Sequence, residues 1–265
     1  MEETVIDDDN FSKFLPGGER VGGAFGCIPR DESVTPMRAV TMPLIPRSEW
    51  SARIKEKAET KSRLSDLRMM ADNGQMIKCL NQGNYGYCWS HSVTMALMMR
   101  RAFHGLPFVP LSAFAVAATI KNGANEGAWG ALALDFAVRR GIPSQAMWPQ
   151  GNANPATGTA VVWEDAAKHK VDEAWVDVAV PAWDAELSFD QVATCLLSNE
   201  PVILDYNWWG HSVCGLDLVE VSPDNFGVRI INSWGDGWED RGMAVLAGSK
   251  AIPNGASAIS VATAS

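Results

Sequence analysis

Four side chains in this sequence have the types and order that nucleophilic catalysis by a thiol requires: Gln82, Cys88, His211 and Asn232. A free thiol has a pKa of about 8.5 and is mostly protonated at neutral pH, so a cysteine nucleophile needs a base and something to orient that base. The stretch "NQGNYGYCWSHS" places Gln82 six positions before Cys88, with Gly83 and Gly86 between them and Trp89 directly after. The chain has four histidines. His91 lies one turn beyond Cys88 on the same predicted helix and would point away from a thiol at the helix start. His104 precedes Gly105 at a helix end, a capping position. His169 sits in the charged "AAKHKVDE" and is expected to be exposed. His211 follows "NWWG" and opens a predicted strand, where a base beside a cleft belongs. Asn232 closes another predicted strand and leads into "SWGDGWEDR". Taken singly, these residues also read as a buried thiol, a loop amide, a strand-edge ring and a turn former. Their joint spacing is what points to a site.

Such a site needs a scaffold, and the composition supplies a globular one. With 265 residues the chain can bury one large core or two modest ones. A net charge of −9 argues against a nucleic-acid backbone as partner. Eleven tryptophans suggest a tightly packed core, a ligand groove, or both. The sequence contains no apolar run long enough to span a membrane. The acidic "MEETVIDDDN" lacks the basic start of a signal peptide. Five cysteines, Cys27, Cys79, Cys88, Cys195 and Cys214, are an odd number without metal-ligand spacing. These features predict free thiols in the cytoplasm or another reducing compartment, with no metal and no cofactor.

The elements that would position the four residues follow from periodicity and punctuation. Residues 1–46 hold five prolines and five glycines and read as an extended N-terminal arm. Residues 51–70 are strong helix formers of both charges and predict a largely solvated, charged helical insertion. "CWSHSVTMALMMRRAF" carries Trp89, Val93, Ala96 and Leu97 on one helical face, with Cys88 as its first residue. "PLSAFAVAATIKNG" predicts a short helix capped by Ser112 and closed at Gly123. "GAWGALALDFAVRRG" predicts another, stopped by Gly141. In the second half "EAWVDVAV", "PVILDY", "HSVCGLDLVEV", "FGVRIIN" and "GMAVLA" read as strands. "SFDQVATCLLSN" reads as a helix with a Ser188/Gln191 capping box. Helices first and an antiparallel sheet after give an α+β protein of two lobes with a cleft between them.

Three pieces together, "QGNYGYCW", "GHSVCGLDLV" and "NSWGDGWEDRGMAVL", resemble the papain family of cysteine peptidases over roughly residues 47–248. In that family the histidine and asparagine follow the nucleophile by about 130–150 residues. Here His211 follows Cys88 by 123 residues and Asn232 by 144. The short connection from Pro201 to His211 accounts for the early histidine. "LSAFAVA" and "GANEGAWGALALDFAVRRGI" are similar to the family's second helix and to its Gly-Cys-Asn-Gly-Gly segment.

The resemblance implies the papain-like two-lobed fold. Its helical N-terminal lobe would span about 80–165 and its antiparallel β-sheet or barrel lobe about 166–265, with the active-site cleft between. It implies Cys88, His211 and Asn232 as the catalytic set, Gln82 as an oxyanion-hole donor, and Trp234, Trp89 and Gly86 as supporting residues. Glu126 and Gly127 would lie in the substrate groove, Glu126 in place of a family glycine. The implied reaction is peptide-bond hydrolysis through an acyl-enzyme on a peptide or protein substrate. The chain also departs from the family. Tyr85 and Ala124 stand where both halves of a disulfide are expected, and no long inhibitory propeptide is recognisable.

Other functions share much of this evidence. One is a structural or interaction protein that reuses the scaffold, such as a virus-particle or other assembly component, because function resides in the site and not the fold. Another is an amidase on non-peptide substrates. A transglutaminase-like enzyme is disfavoured, since it typically orients its histidine with an aspartate. The arm is expected to contact either its own cleft or a partner chain.

Overall fold

A computed structural model describes residues 3–74, 76–171 and 175–259. The architecture is mixed α+β, with most helices in the first half and six strands of a seven-stranded sheet in the second, the seventh coming from the N-terminal arm. The central helix, α3 (Cys88–Phe103), has no interior glycine or proline, and every residue from Cys88 to Arg100 is buried. Its polar side chains are buried too, because Ser90, His91 and Thr94 bond back to carbonyls one turn earlier. Helices α4 (Ala113–Ile120) and α5 (Gly130–Arg140) pack against it. The Ser112 hydroxyl caps α4 by accepting from Ala115 N at 3.4 Å. Gly141 ends α5 at φ +80°, a conformation that favours glycine.

The sheet order is β1-β6-β5-β4-β3-β7-β2. Its strands are β1 (Val5–Ile6), β2 (Val176–Ala179), β3 (Val202–Tyr206), β4 (His211–Ser222), β5 (Asn225–Ile231), β6 (Met243–Leu246) and β7 (Gly255–Ala258). All pairings are antiparallel except β1 with β6. The β3–β4 hairpin pairs Tyr206 with His211 across the Asn207–Gly210 turn. β4 pairs with β5 through Cys214 and Ile231, so His211 and Asn232 emerge at the same end of adjacent strands. No helix among the described residues is long and apolar enough to cross a membrane.

Several expectations need correction. The charged segment forms two helices, α1 (Trp50–Thr60) and α2 (Leu64–Gly74), broken where Lys61 takes a left-handed φ of +53°. They are less solvated than their charge suggests. Trp50 is buried against Phe226, and the buried Arg68 donates to the Ile77 carbonyl at 2.8 Å and to Asp236 at 2.7 Å. Helix α7 (Ala185–Leu197) is capped by Asp184, whose carboxylate accepts from Leu187 N at 2.7 Å, and Ser188 is already inside the helix. Gln191 instead pairs with the arm, accepting from Met42 N at 3.1 Å. His169 is buried, its backbone carbonyl accepting from Ile142 N, because its short helical turn folds onto the end of α5. The strand expected from "EAWVDVAV" begins at Val176, and residues 173 and 174 lie outside those described. Strands β1 and β7 and helix α6 (Ala160–Ala166) had no clear periodic signal.

Candidate active site

Cys88 opens α3, where the unpaired N–H groups and dipole of a helix N-terminus favour a thiolate. The loop before it is stitched to the turn after β5. Gln82 N donates to Ser233 O at 2.9 Å, and Gly235 N donates to Leu80 O at 3.0 Å. The Gln82 side chain is fixed at both ends. Its Oε1 accepts from the Ser233 hydroxyl, and its Nε2 donates to Tyr85 O at 2.6 Å. The Trp89 indole donates to Gly86 O at 3.0 Å. The two positions that lack cysteine are tied by other means. Tyr85 packs on Tyr87 and Phe114, and the Tyr87 hydroxyl donates to Ala124 O at 2.7 Å. All five cysteines are free thiols.

His211 Nε2 donates to Asn232 Oδ1 at 2.7 Å. An amide oxygen acceptor at that distance puts the imidazole proton on Nε2. Nδ1 is left buried and without a partner. The Trp234 ring lies 4.8 Å from the imidazole, and Trp209 lies 5.0 Å from it. The N–H groups of Ser212, the residue after His211, and of Trp89 stabilise a negative charge on the Cys88 sulfur. So Gln82, Cys88, His211, Asn232, Trp234, Trp89 and Gly86 meet at one place where the helical half of the chain faces the sheet.

The third N–H against that sulfur belongs to Gly26 of the arm. The arm runs through the cleft. Gly22 and Gly23 lie on Trp234, close enough that a Cβ on Gly23 would fall 2.4 Å from the indole. Ala24 O accepts from Gln82 Nε2 at 3.0 Å and from the Trp234 indole at 3.3 Å. Phe25 stands edge-on to both His211 and Trp234. Gly26 N and Cys27 N both donate to Gly210 O. Gly26 O accepts from Ala128 N, and Ile28 N donates to Ala128 O, a short parallel ladder beside Gly127. A Cβ on Gly26 would meet Gly86 O at 2.1 Å and one on Gly127 would meet Gly26 O at 2.6 Å, so this close approach requires glycine. Gly127 therefore lies directly against the arm. The Glu126 carboxylate points outward to Lys121 at 3.8 Å and is 64% exposed.

Covered in this way, Cys88 and His211 are both fully buried. Burial pushes the Cys88 thiol up to about 12 and pulls His211 down to about 4, and the Asn232 hydrogen bond opposes the latter only in part. Both are neutral at pH 7 in this closed arrangement. His91 is structural, bonded to Tyr87 O and to Gln150 at 2.7 Å each. Among the described residues no group of three or more His, Cys, Asp or Glu is arranged to hold a metal ion.

The sequence left the arm to contact either its own cleft or a partner chain, and the segment that enters the cleft was not singled out. Its trace is the "GGAFG" run, glycines spaced around one aromatic, which read only as an extended chain. Also missed were Arg30, Asp177 and Asp205, which meet beside the site.

Neither a family model nor a curated protein sequence matches the chain. Solved structures do. Xylellain, a cysteine protease from Xylella fastidiosa, superposes with a TM-score of 0.63 at 16% identity, over 92% of this chain and 98% of that one. Digestive procathepsin L 3 from Tenebrio molitor larval midgut gives 0.58 at 16% identity, over 81% and 90%. Bromelain from Ananas comosus, in complex with the E64 inhibitor, gives 0.53 at 17% identity, over 67% and 90%. At such identities the likeness speaks for architecture, and it agrees with the element order and sheet described above: the chain has the α+β fold of the papain-like cysteine proteases.

Proposed function

We propose that this protein is a papain-type cysteine peptidase held latent by its own N-terminal arm. Cys88 is the nucleophile. His211 Nδ1 takes its proton, and the resulting imidazolium protonates the leaving amine. Asn232 holds the imidazole by its other nitrogen, and Trp234 shields that hydrogen bond. Gln82 Nε2 and the Cys88 backbone N–H stabilise the oxyanion, a role in which one donor typically contributes on the order of 3 kcal/mol to the transition state. The observation that carries this proposal is the Ala24 carbonyl on Gln82 Nε2, because a carbonyl oxygen is the group that an oxyanion hole receives.

The direction of the arm supports latency. The leaving amine departs on the side of His211 and Trp234, so the C-terminal half of a substrate belongs there. The arm instead puts its N-terminal half, Gly22 and Gly23, against Trp234 and its C-terminal half beside Gly127 and Ala128. Run backwards, it presents no peptide bond in the attack geometry. The peptidase is expected to need no cofactor.

The test is labelling with an epoxysuccinyl cysteine-peptidase inhibitor, read by intact mass and peptide mapping. The unaltered chain should label slowly. Gly26→Val, which cannot seat the strap against Gly86, should take a rapid single addition at Cys88 that is lost in Cys88→Ala and in His211→Ala. Should small iodoacetamide alkylate Cys88 in Gly26→Val while the epoxide does not, the cleft is open but does not act as a peptidase site, and the proposal fails.

A further inference from the structure

Beside the nucleophile lies a small cavity of about 120 Å3 whose walls carry two carboxylates of the body, Asp177 and Asp205, and two charged arm residues, Arg30 and the exposed Glu32. Asp205 pairs in register with Ser212 on β4, and the Ser212 N–H lies at the Cys88 sulfur, so this carboxylate is one residue removed from the thiol. Gly130 N donates to Asp205 Oδ2 at 3.2 Å. Asp205 Oδ1 is sealed from bulk water and has no partner of hydrogen-bond geometry. Burial raises the Asp205 carboxyl above the usual carboxylate range, and the Ser212 hydroxyl, the Gly130 N–H and the Cys27 thiol oppose that only in part. Asp177 is 1% exposed. It accepts from Arg30 Nη1 at 2.8 Å, from Arg38 N at 2.6 Å and from the Ser257 hydroxyl at 3.0 Å. Arg30 is held in place by the Thr35 carbonyl at 2.7 Å and lies over Trp175. Its charge also favours the ionised form of Asp205.

An arginine from the arm thus supplies the cation that two buried carboxylates require. A buried carboxylate without a partner is costly, and two in one cavity more so. When the arm withdraws, Cys27 and Arg30 withdraw with it. What remains is a pocket walled by two carboxyl groups, opening next to Cys88, with Asp205 Oδ1 free to take a donor. We infer that Asp205, with Asp177 behind it, forms a cation-selective subsite that takes a lysine or arginine side chain of a peptide substrate, one or two residues before the scissile bond. The inference rests on the peptidase reading. Arg30 and Cys27 occupy the place that the substrate side chain takes: a guanidinium on Asp177 and a donor on Asp205. A leucine in that pocket would leave both carboxyl groups without a cation, and a glutamate would add a further acidic group.

The test uses the full-length chain carrying Gly26→Val and Arg30→Ala, which together lift the strap and vacate the pocket. Acetyl-X-Ala and acetyl-Ala-X fluoromethyl ketones, with X as Arg, Lys, Leu or Glu, are compared by their labelling rates at Cys88. At one of the two positions Arg and Lys should label at least tenfold faster than Leu, with Glu slowest. Asp205→Asn in the same background should cut the Arg-to-Leu ratio at least tenfold. If that variant does not fold, Asp177→Asn should lower the same ratio. A Leu reagent as fast as Arg at both positions, or a ratio unmoved by these substitutions, overturns the subsite and leaves the peptidase reading intact. In parallel, Cys88→Ala in the same background is titrated calorimetrically with the corresponding acetylated tetrapeptide amides. Tighter binding of the Arg peptide than of the Leu peptide, with no reagent labelling Cys88, would uphold the subsite and sink the peptidase reading. Binding no tighter for Arg than for Leu overturns the subsite.

Discussion

Two stretches of the N-terminal arm lie on the same molecule by different physics. The first, residues 3–20, is anchored by burial. Ile6 and Phe14 are fully buried, β1 extends the sheet along β6, and the indoles of Trp209 and Trp238 donate to Phe14 O and Arg20 O. The second, residues 22–28, plugs the cleft with three glycines, one partly buried phenylalanine and a buried thiol, held mainly through backbone hydrogen bonds. An aromatic side chain buried as deeply as Phe14 is worth about 3–5 kcal/mol on truncation. A backbone hydrogen bond exchanged for one with water contributes about 1 kcal/mol net. The plug's bonds can each be exchanged for bonds to water as it lifts, whereas Ile6 and Phe14 would have to expose apolar surface, so the plug is expected to leave while the anchor stays. The arm fixes a weak strap between a strong N-terminal anchor and the Arg30–Asp177 ion pair.

Substitutions in one stretch at a time should separate the plug from the anchor. The largest effect is expected from Gly26→Val. Iodoacetamide alkylation of Cys88 should accelerate at least a hundredfold, with melting temperature nearly unchanged. Phe14→Ala should do the reverse. It should lower unfolding stability by about 3–5 kcal/mol in denaturant titration, with a smaller gain in Cys88 reactivity at conditions where the chain stays folded. If the two variants behaved alike, the arm would be one cooperative unit. Arg30→Ala removes the clamp after the strap. It should raise Cys88 alkylation about tenfold, because Asp177 keeps its bonds from Arg38 N and Ser257 when the ion pair is lost.

The smallest effect is that of pH on the strap. Closure holds His211 near 4, below its ordinary 6.5, so the closed state binds fewer protons than the open one. Closure is at full strength above about 6.5 and weakens as pH falls toward 4. Closure also holds Cys88 near 12, so it weakens again as pH rises above the ordinary thiol range. Amide hydrogen exchange, corrected for its intrinsic pH dependence, should show residues 24–28 losing protection between pH 6.5 and 4. Protection at residues 5–6 and 245–246 should persist. Equal loss at both places would mean that acid loosens the anchor and not the strap.

Much of the scaffold was legible because local chemistry and tertiary structure agree there. Ser112 caps α4, Gly141 stops α5, and the short apolar runs of β3 to β6 mark strands buried on both faces over most of their length. Legibility failed where long-range contacts decide. Lys61 breaks a run of strong helix formers because Trp50 and Leu64 must both reach the core. Ser188 looked like a cap, but Asp184 comes one turn earlier and takes the role. His169 looked exposed among charges, but its turn folds inward.

By itself, then, the sequence determined the elements and the order of the candidate site: a thiol at a helix start, a histidine and an asparagine at neighbouring strand ends, and a glutamine in the preceding loop. Those are set by periodicity, punctuation and spacing, which act over a few residues. Only the tertiary structure decided what occupies the cleft. Gly26 meets Gly86, Ala24 meets Gln82, and Arg30 meets Asp177 across 147 positions of chain. Contacts at such separations depend on close backbone approach and charge pairing in three dimensions, and no local pattern encodes them.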